Sequence, residues 1–368
     1  MKIIISGGGT GGHIYPAIAV AQELTNKLQD IEILFVGAKG KMEMEKVPKA
    51  GFKIKGLWIS GFQRKLTLKN LLFPIKLINS LWQAYKIVNR FKPDAVIGFG
   101  GFASGPVGQI AAWKKIPLFL QEQNSYPGIT NKLLADKAKK ICVAYQGLEK
   151  YFPSEKIVIT GNPVRKDIIN SSGKITDKDI NSSLRYFDLV QNKKTVLVFG
   201  GSLGAGSLNE AVKLNLRKIM SSGNVNLIWQ VGKYYYEDYK YLQEEYKNNL
   251  KILPFIDRMD LAYKISDLVV CRAGALTISE LSLAAKAAIL VPSPNVAEDH
   301  QTKNALNLVQ NNAAVMIKDV DVRKELGNKI NEILHEPSVL KELEKNIAKL
   351  AKPNASAEIA EVILKELN

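Results

Sequence analysis

The chain has 368 residues, 46% of them hydrophobic and 23% charged, with a net charge of +16. That length exceeds one ordinary hydrophobic core and predicts about two domains, and the composition excludes a disordered or collagen-like chain. Cys142 and Cys271 lie far apart, each in an apolar run, which excludes a disulfide-stapled fold and predicts buried free thiols in a reducing compartment.

In chain order, residues 2–6, 31–37, 95–99, 117–121, 140–144 and 156–160 are short runs rich in Ile, Val, Leu and Phe, closed by Gly, Pro or polar residues. Such runs read as buried parallel strands. The first leads into Ser6-Gly7-Gly8-Gly9-Thr10-Gly11-Gly12, with His13 directly after it. Gly7, Gly9 and Gly12 fit Gly-x-Gly-x-x-Gly, but a nicotinamide site also wants an acidic residue at the end of the second strand to hold the ribose. Here that strand ends Phe35-Val36-Gly37-Ala38-Lys39, with no carboxylate before Glu43. What remains is a run of unblocked amides before a helix start, which favours an anion such as a diphosphate. His13 at that turn reads as a general base or electrostatic contact, against a helix-start histidine that bonds a loop carbonyl.

Residues 46–93 contain eleven of the 51 basic residues and no carboxylate, leaving 40 basic against 35 acidic residues elsewhere. From 66 to 91 the spacing is helical. Leu71, Leu72, Phe73, Ile75, Leu81 and Trp82 are interleaved with Lys69 and Lys76, a pattern suited to an anionic lipid surface, where each basic side chain contributes about 1 kcal/mol. The alternative is a core-facing helix with a solvated basic face, and one helix can do both. No run approaches the ~18 apolar residues of a membrane span, and the apolar residues 3–5 run straight into glycines, unlike a signal peptide. The protein is therefore expected in the cytoplasm.

After the turn Gly161-Asn162-Pro163 and a polar stretch, 170–192, the strand pattern restarts at 195–199, 225–231, 250–255, 267–271, 288–291 and 313–317. The fold class predicted is α/β: two tandem doubly wound, Rossmann-like domains facing a cleft. The domains are expected at 1–162 and 163–350, with a C-terminal helix, 351–368, packing back on the first. In Leu-Val-Val-Cys-Arg-Ala-Gly-Ala-Leu-Thr-Ile-Ser-Glu a strand ends at Cys271, Gly274 permits a turn, and a helix starts near Ala275. Its amides suit a nucleotide diphosphate, and Glu280 can accept from ribose hydroxyls. Of the two Asp-x-Asp strings, Asp177-Lys178-Asp179 is assigned to the polar linker and Asp319-Val320-Asp321 to capping a surface helix. Neither is expected to hold a metal.

Gly8-Gly9-Thr10-Gly11-Gly12-His13, Gly100-Gly101-Phe102-Ala103-Ser104-Gly105-Pro106, Glu122-Gln123-Asn124, Gly161-Asn162-Pro163-Val164-Arg165, Gly200-Gly201-Ser202 and Arg272-Ala273-Gly274-Ala275-Leu276-Thr277 together resemble one family over the whole chain. It is the family of bacterial N-acetylglucosaminyltransferases that convert lipid I to lipid II in peptidoglycan synthesis. The resemblance implies a B-type glycosyltransferase fold and inverting transfer from UDP-N-acetylglucosamine, with no metal or resident cofactor. It assigns Ile256 to the uracil and Ala275, Leu276, Thr277 and Glu280 to the diphosphate and ribose. Arg165, Ser202 and Gln301 complete the donor site, and Thr10, Gly11, Gly12 and Asn124 reach it from the first domain.

Gly8, Gly9, Gly100, Gly101 and Ser104 are implied to cradle the acceptor's diphosphate, with His13 as first candidate base and Glu122 as second. Gln121, Leu203 and His300 depart from common family forms. The implied partners are lipid I, an anionic membrane surface on the cytoplasmic face of the plasma membrane, and other cell-wall synthesis proteins. Nucleic acid is not expected, because the basic segment carries no known binding module. A UDP-N-acetylglucosamine epimerase or a glycolipid transferase remains an alternative on the same fold.

Overall fold

The computed structural model describes residues 1–61, 73–171, 173, 175–221, 223–296 and 299–367. The chain divides into two compact units, one of Met1–Arg165 with Lys352–Asn368 and one of Lys166–Ala351.

In the first unit β1 (Lys2–Ser6), β2 (Glu32–Ala38), β3 (Lys53–Leu57), β4 (Ala95–Gly98), β5 (Leu118–Glu122), β6 (Lys140–Val143) and β7 (Ile157–Ile159) form one sheet ordered β3-β2-β1-β4-β5-β6-β7. Every pairing is parallel. Side chains alternate across the sheet: Ile3 and Ile5 pack on one face and Ile4 on the other, as the period of two requires. The C-terminal helix Ala355–Leu367 puts Ile359, Ala360 and Ile363 into the same core as Ile14 and Ala17 of helix Gly11–Lys27. Lys27 and Glu361 pair at 2.9 Å at its edge.

β3 is absent from the sequence reading. Its side chains run exposed, half-buried, exposed, half-buried, buried, and Lys53 and Lys55 stand on the outer side of an edge strand. Lysines there discourage pairing with another chain, and the same lysines made the segment read as part of a basic stretch.

The second unit repeats the plan with β8 (Lys194–Phe199), β9 (Val225–Gln230), β10 (Leu250–Leu253), β11 (Leu268–Cys271), β12 (Ala287–Leu290) and β13 (Val315–Met316), ordered β10-β9-β8-β11-β12-β13 and parallel. Trp229, fully buried, donates its indole N–H to Asn209 Oδ1 at 3.2 Å. Cys142 and Cys271 are free and buried. Burial pushes the Cys142 thiol up to about 12 and raises that of Cys271 as well.

Both Asp-x-Asp strings differ from expectation. Asp177 and Asp179 are not linker: they open helix Asp177–Tyr186, where Thr176 and Asp179 form a reciprocal capping box, which satisfies two otherwise orphan amides. Helix Val322–His335 receives no side-chain cap from Asp321. Asp319 instead binds Arg272. Among the described residues, no group of three or more His, Cys, Asp or Glu is placed to hold a metal ion.

Candidate functional site

In the first unit the strand order reverses between β1 and β4, and at such a switch point the loops diverge and leave a crevice at the strands' carboxyl ends. A glycine turn follows each strand there. A Cβ on Gly101 would stand 2.3 Å from the Gly8 carbonyl oxygen, so the two turns meet backbone to backbone. Gly9, Gly100 and Gly101 have φ of 87°, 85° and 80°, which a side chain would strain. Helix Gly11–Lys27 starts beside them with no side-chain cap from Thr10 and no acid in its first turn. Its first amides lack intrahelical acceptors and suit an anion.

His13 Nδ1 lies 3.0 Å from the Gly8 carbonyl oxygen and 3.2 Å from Thr10 Oγ1. A carbonyl oxygen can only accept, so Nδ1 carries a proton and Nε2 is the basic nitrogen of the neutral ring. Nε2 points to the other turn, 3.2 Å from where a Cβ on Gly100 would be.

Three residues expected at this edge, two as ligands and Glu122 as second candidate base, have other partners. The Gly9 N–H donates to Glu43 Oε2 at 3.0 Å, so that amide is not offered to a diphosphate. Ser104 is 1% exposed and its hydroxyl donates to the Gly101 carbonyl at 3.0 Å, so it shapes the turn from within. Glu122, 2% exposed, accepts at Oε1 from the Asn124 backbone and side-chain amides (3.1 and 3.2 Å) and at Oε2 from Gly128 N–H and Asn131 Nδ2 (3.1 and 2.9 Å). Burial pushes its carboxyl above the usual range while the bonds from Asn124, Asn131 and Gly128 pull it back. With both oxygens engaged, Glu122 anchors the 124–128 loop.

Sequence reasoning missed the polar cluster behind this edge. Gln121, the departure from the family's frequent histidine, donates to Asn162 Oδ1 at 3.0 Å, and Asn162 Nδ2 donates to the Gln123 carbonyl at 3.0 Å. Gln123 Nε2 reaches the Phe99 carbonyl at 3.0 Å. Buried glutamines at a strand end are a readable signal, because apolar runs seldom end in polar groups that lack partners.

In the second unit the order reverses between β8 and β11. A cavity of about 600 Å³ opens at that carboxyl edge, lined by the Gly200 to Gly206 turn, Tyr235, Arg272, Thr277, Gln301 and Asp319. Helix Ala275–Ala284 begins there behind Gly274, again with no side-chain cap and no acid in its first turn. Ala275, Leu276 and Thr277 therefore present the helix's first amides to the edge. Glu280 lies one turn further on and accepts from Tyr263 OH at 3.1 Å. Gln301 Oε1 accepts the Ser293 N–H at 2.9 Å. Ser202 and Leu203 are exposed on the glycine turn, and half-buried Arg165 closes the first unit.

The N–H of Ile256, the residue assigned to the uracil, is taken by Gln230 Oε1 at 2.9 Å, and Gln230 Nε2 donates to the Gly201 carbonyl at 2.9 Å. Gln230, not singled out from sequence, thus fixes both the Ile256 turn and the glycine turn. Asp319 was also misread. Its Oδ1 accepts from Arg272 Nη1 at 2.6 Å and from Ser207 Oγ at 2.8 Å, while Ser207 Oγ accepts from Arg272 Nη2 at 2.8 Å. Arg272 also donates to the carbonyls of Val291 and Pro292. This closed triad holds together the ends of β11 and β12 and the start of helix Gly206–Met220.

Helix Phe73–Phe91 carries the apolar-basic pattern. Ser80, Ala84 and Val88 are buried, and Leu81, assigned to the lipid face, packs on the core instead. Ile75, Ile78, Trp82 and Tyr85 form the outer stripe, 56%, 69%, 55% and 48% exposed, and Phe73 is half-buried beside them. Lys86 sits over the Trp82 ring, Lys76 over Trp58, and Lys114 over Tyr85. Trp58, 43% exposed, thereby extends the stripe beyond the helix. Lys69, Leu71 and Leu72 lie outside the described residues. Among those described, no helix is long and apolar enough to cross a membrane.

The glycosyltransferase family 28 N-terminal domain matches residues 3–143 and the family's C-terminal domain matches residues 195–359. The chain is 52% identical over 364 residues, 99% of its length and 97% of the relative's, to the UDP-N-acetylglucosamine--N-acetylmuramyl-(pentapeptide) pyrophosphoryl-undecaprenol N-acetylglucosamine transferase of Flavobacterium psychrophilum. It is 50% identical to the protein of the same name from Cytophaga hutchinsonii, over 100% of this chain and 97% of that one. Among solved structures it is similar to Acinetobacter baumannii MurG, with a TM-score of 0.78, 31% identity and 99% of each chain covered. A UDP-GlcNAc 2-epimerase from Neisseria meningitidis shares the fold at a TM-score of 0.68 and 17% identity, covering 99% of this chain and 100% of that one.

Proposed function

The chain belongs to glycosyltransferase family 28, and on that premise we propose how its residues divide the reaction. The protein is a UDP-N-acetylglucosamine-dependent hexosyltransferase that moves N-acetylglucosamine onto the N-acetylmuramyl-pentapeptide of a diphosphate-linked undecaprenol acceptor. The finer assignments are our reading of its geometry. The second unit takes the donor: the first amides of helix Ala275–Ala284 neutralise the diphosphate, Glu280 holds the ribose, and the Gly200 to Gly204 turn lets the sugar approach the backbone. The glycine turns after β1 and β4 take the acceptor, its diphosphate lying against the start of helix Gly11–Lys27.

For the chemistry, the acceptor sugar's C4 hydroxyl attacks the donor's anomeric carbon from the face opposite UDP and inverts it. The C–O bond to UDP breaks with its electron pair leaving on the diphosphate, and His13 Nε2 takes the hydroxyl proton. No metal is required in this scheme, because helix amides supply the positive field at the leaving group. The stripe of Ile75, Ile78, Trp82 and Tyr85, with Lys76, Lys86 and Lys114, rests on anionic lipid at the cytoplasmic face of the membrane, where the acceptor is anchored.

The observation that carries this division is the pairing, in each unit, of a glycine turn with an uncapped helix start at the sheet's switch point. Purified protein given UDP-N-acetylglucosamine should release UDP only when the lipid-diphosphate acceptor is added, and the product should hold a new disaccharide. Release without acceptor, or conversion of the donor to its 2-epimer, would instead select the epimerase chemistry of the structural neighbour.

A further inference from the structure

Glu43 stands at the start of the short helix Glu43–Lys49, far in sequence from the glycine turn it serves. Its side chain is fully buried. Oε1 accepts the Ala38 N–H at 2.9 Å and Oε2 the Gly9 N–H at 3.0 Å. The space it fills is reserved for it: a Cβ on Gly8 would lie 2.1 Å from Oε1 and one on Gly37 2.5 Å from Cγ. The Gly9 N–H and the Gly8 carbonyl belong to one peptide unit, and the Gly8 carbonyl is the group that accepts from His13 Nδ1 at 3.0 Å. Carboxylate, peptide and imidazole therefore form a chain of two hydrogen bonds through a single planar amide.

We propose that Glu43 is a positioning residue for the transferase reaction, orienting His13 and raising its basicity through the Gly8-Gly9 peptide, a role that rests on the reading of His13 as the base. The physics is polarisation. A carboxylate accepting the amide hydrogen pushes electron density towards the amide oxygen, which then accepts more strongly from Nδ1–H, and bonds in such a chain reinforce one another. A stronger acceptor at Nδ1 fixes the tautomer and favours the imidazolium that forms when Nε2 takes a proton. It is the carboxylate-histidine arrangement of many general bases with one peptide unit inserted. Among the other ionisable side chains on the framing elements, the Tyr15 ring edges Gly11 and Glu122 on β5 is held by Asn124, Gly128 and Asn131. Neither hydrogen-bonds the Gly8-Gly9 peptide, whose partners are Glu43 and His13.

The test is Glu43→Gln in the full-length protein, with UDP affinity as the control that the second unit is intact. Nitrogen NMR of labelled histidine should show the His13 titration midpoint falling by about one pH unit, and the acid limb of kcat moving to lower pH with a loss of about tenfold in kcat. An unmoved His13 midpoint overturns the role of Glu43. His13→Ala tests the base separately: turnover that survives it removes His13 from the mechanism, whatever the midpoint does. If Glu43→Gln fails to fold, the native protein still decides, because the relay requires the neutral His13 to be the Nδ1–H tautomer. An Nε2–H tautomer overturns it.

Discussion

At the residue scale, the groups that organise both sites are carboxylates and amides with partners distant in the chain. Asp319 and Arg272 are 47 residues apart and Ser207 and Asp319 are 112 apart, so no local pattern shows the triad. The pair is 18% and 11% exposed, in a setting where removing one partner leaves a poorly solvated charge and costs about 3–5 kcal/mol. Asp319→Ala should destabilise the protein by the lower part of that range and raise the donor KM at least tenfold while leaving the acceptor KM nearly unchanged, as chemical unfolding and steady-state kinetics would show. For Glu122, loop anchor and base predict different pH profiles. Glu122→Gln should lower kcat but leave its acid limb in place; a vanished limb would restore Glu122 as the base. His13 and the glycines were readable because their chemistry is local, a donor-rich turn followed by one imidazole. Glu43 and Gln230 were not, because each acts on a turn that the sheet, not the sequence, brings near.

At the scale of elements, the parallel strands were legible as apolar runs, since strands covered on both faces need no alternation. β3 escaped because Lys53 and Lys55 face solvent. Helix Phe73–Phe91 shows how far periodicity reaches: it gave the helix, but only the packing tells Leu81 on the core side from Trp82 on the outside. Leu81→Ala should therefore lower stability by about 1–2 kcal/mol, whereas Ile78→Ala with Trp82→Ala should leave the melting temperature nearly unchanged and weaken flotation with anionic vesicles. Equal flotation of that double variant, or binding indifferent to salt, would refute the lipid face. The capping box of helix Asp177–Tyr186 makes a pH prediction. Hydrogen bonds from Thr176 and the nearby Lys264 ammonium hold the Asp179 carboxyl at about 2, below its unfolded value of ~3.9. Its contribution is thus present above pH ~4 and lost as pH falls towards 2. Carboxyl NMR should find that low midpoint, and Thr176→Val should move it upward.

At the scale of the whole molecule, two units of the same plan each place glycine turns and an uncapped helix start at the carboxyl edge of a parallel sheet. That repetition was legible because strand runs and glycine turns recur in both halves, and the domain matches assign the two halves to the N-terminal and C-terminal domains of glycosyltransferase family 28. On the proposed division, the first amides of helix Ala275–Ala284 in the second unit grip the donor's diphosphate. A crystal structure with UDP-N-acetylglucosamine tests it most directly. Phosphate oxygens should lie within hydrogen-bonding distance of the Leu276 and Thr277 amides, with the ribose against Glu280. A nucleotide sugar seated on the glycine turns of the first unit, with the edge at Ala275 empty, would contradict it.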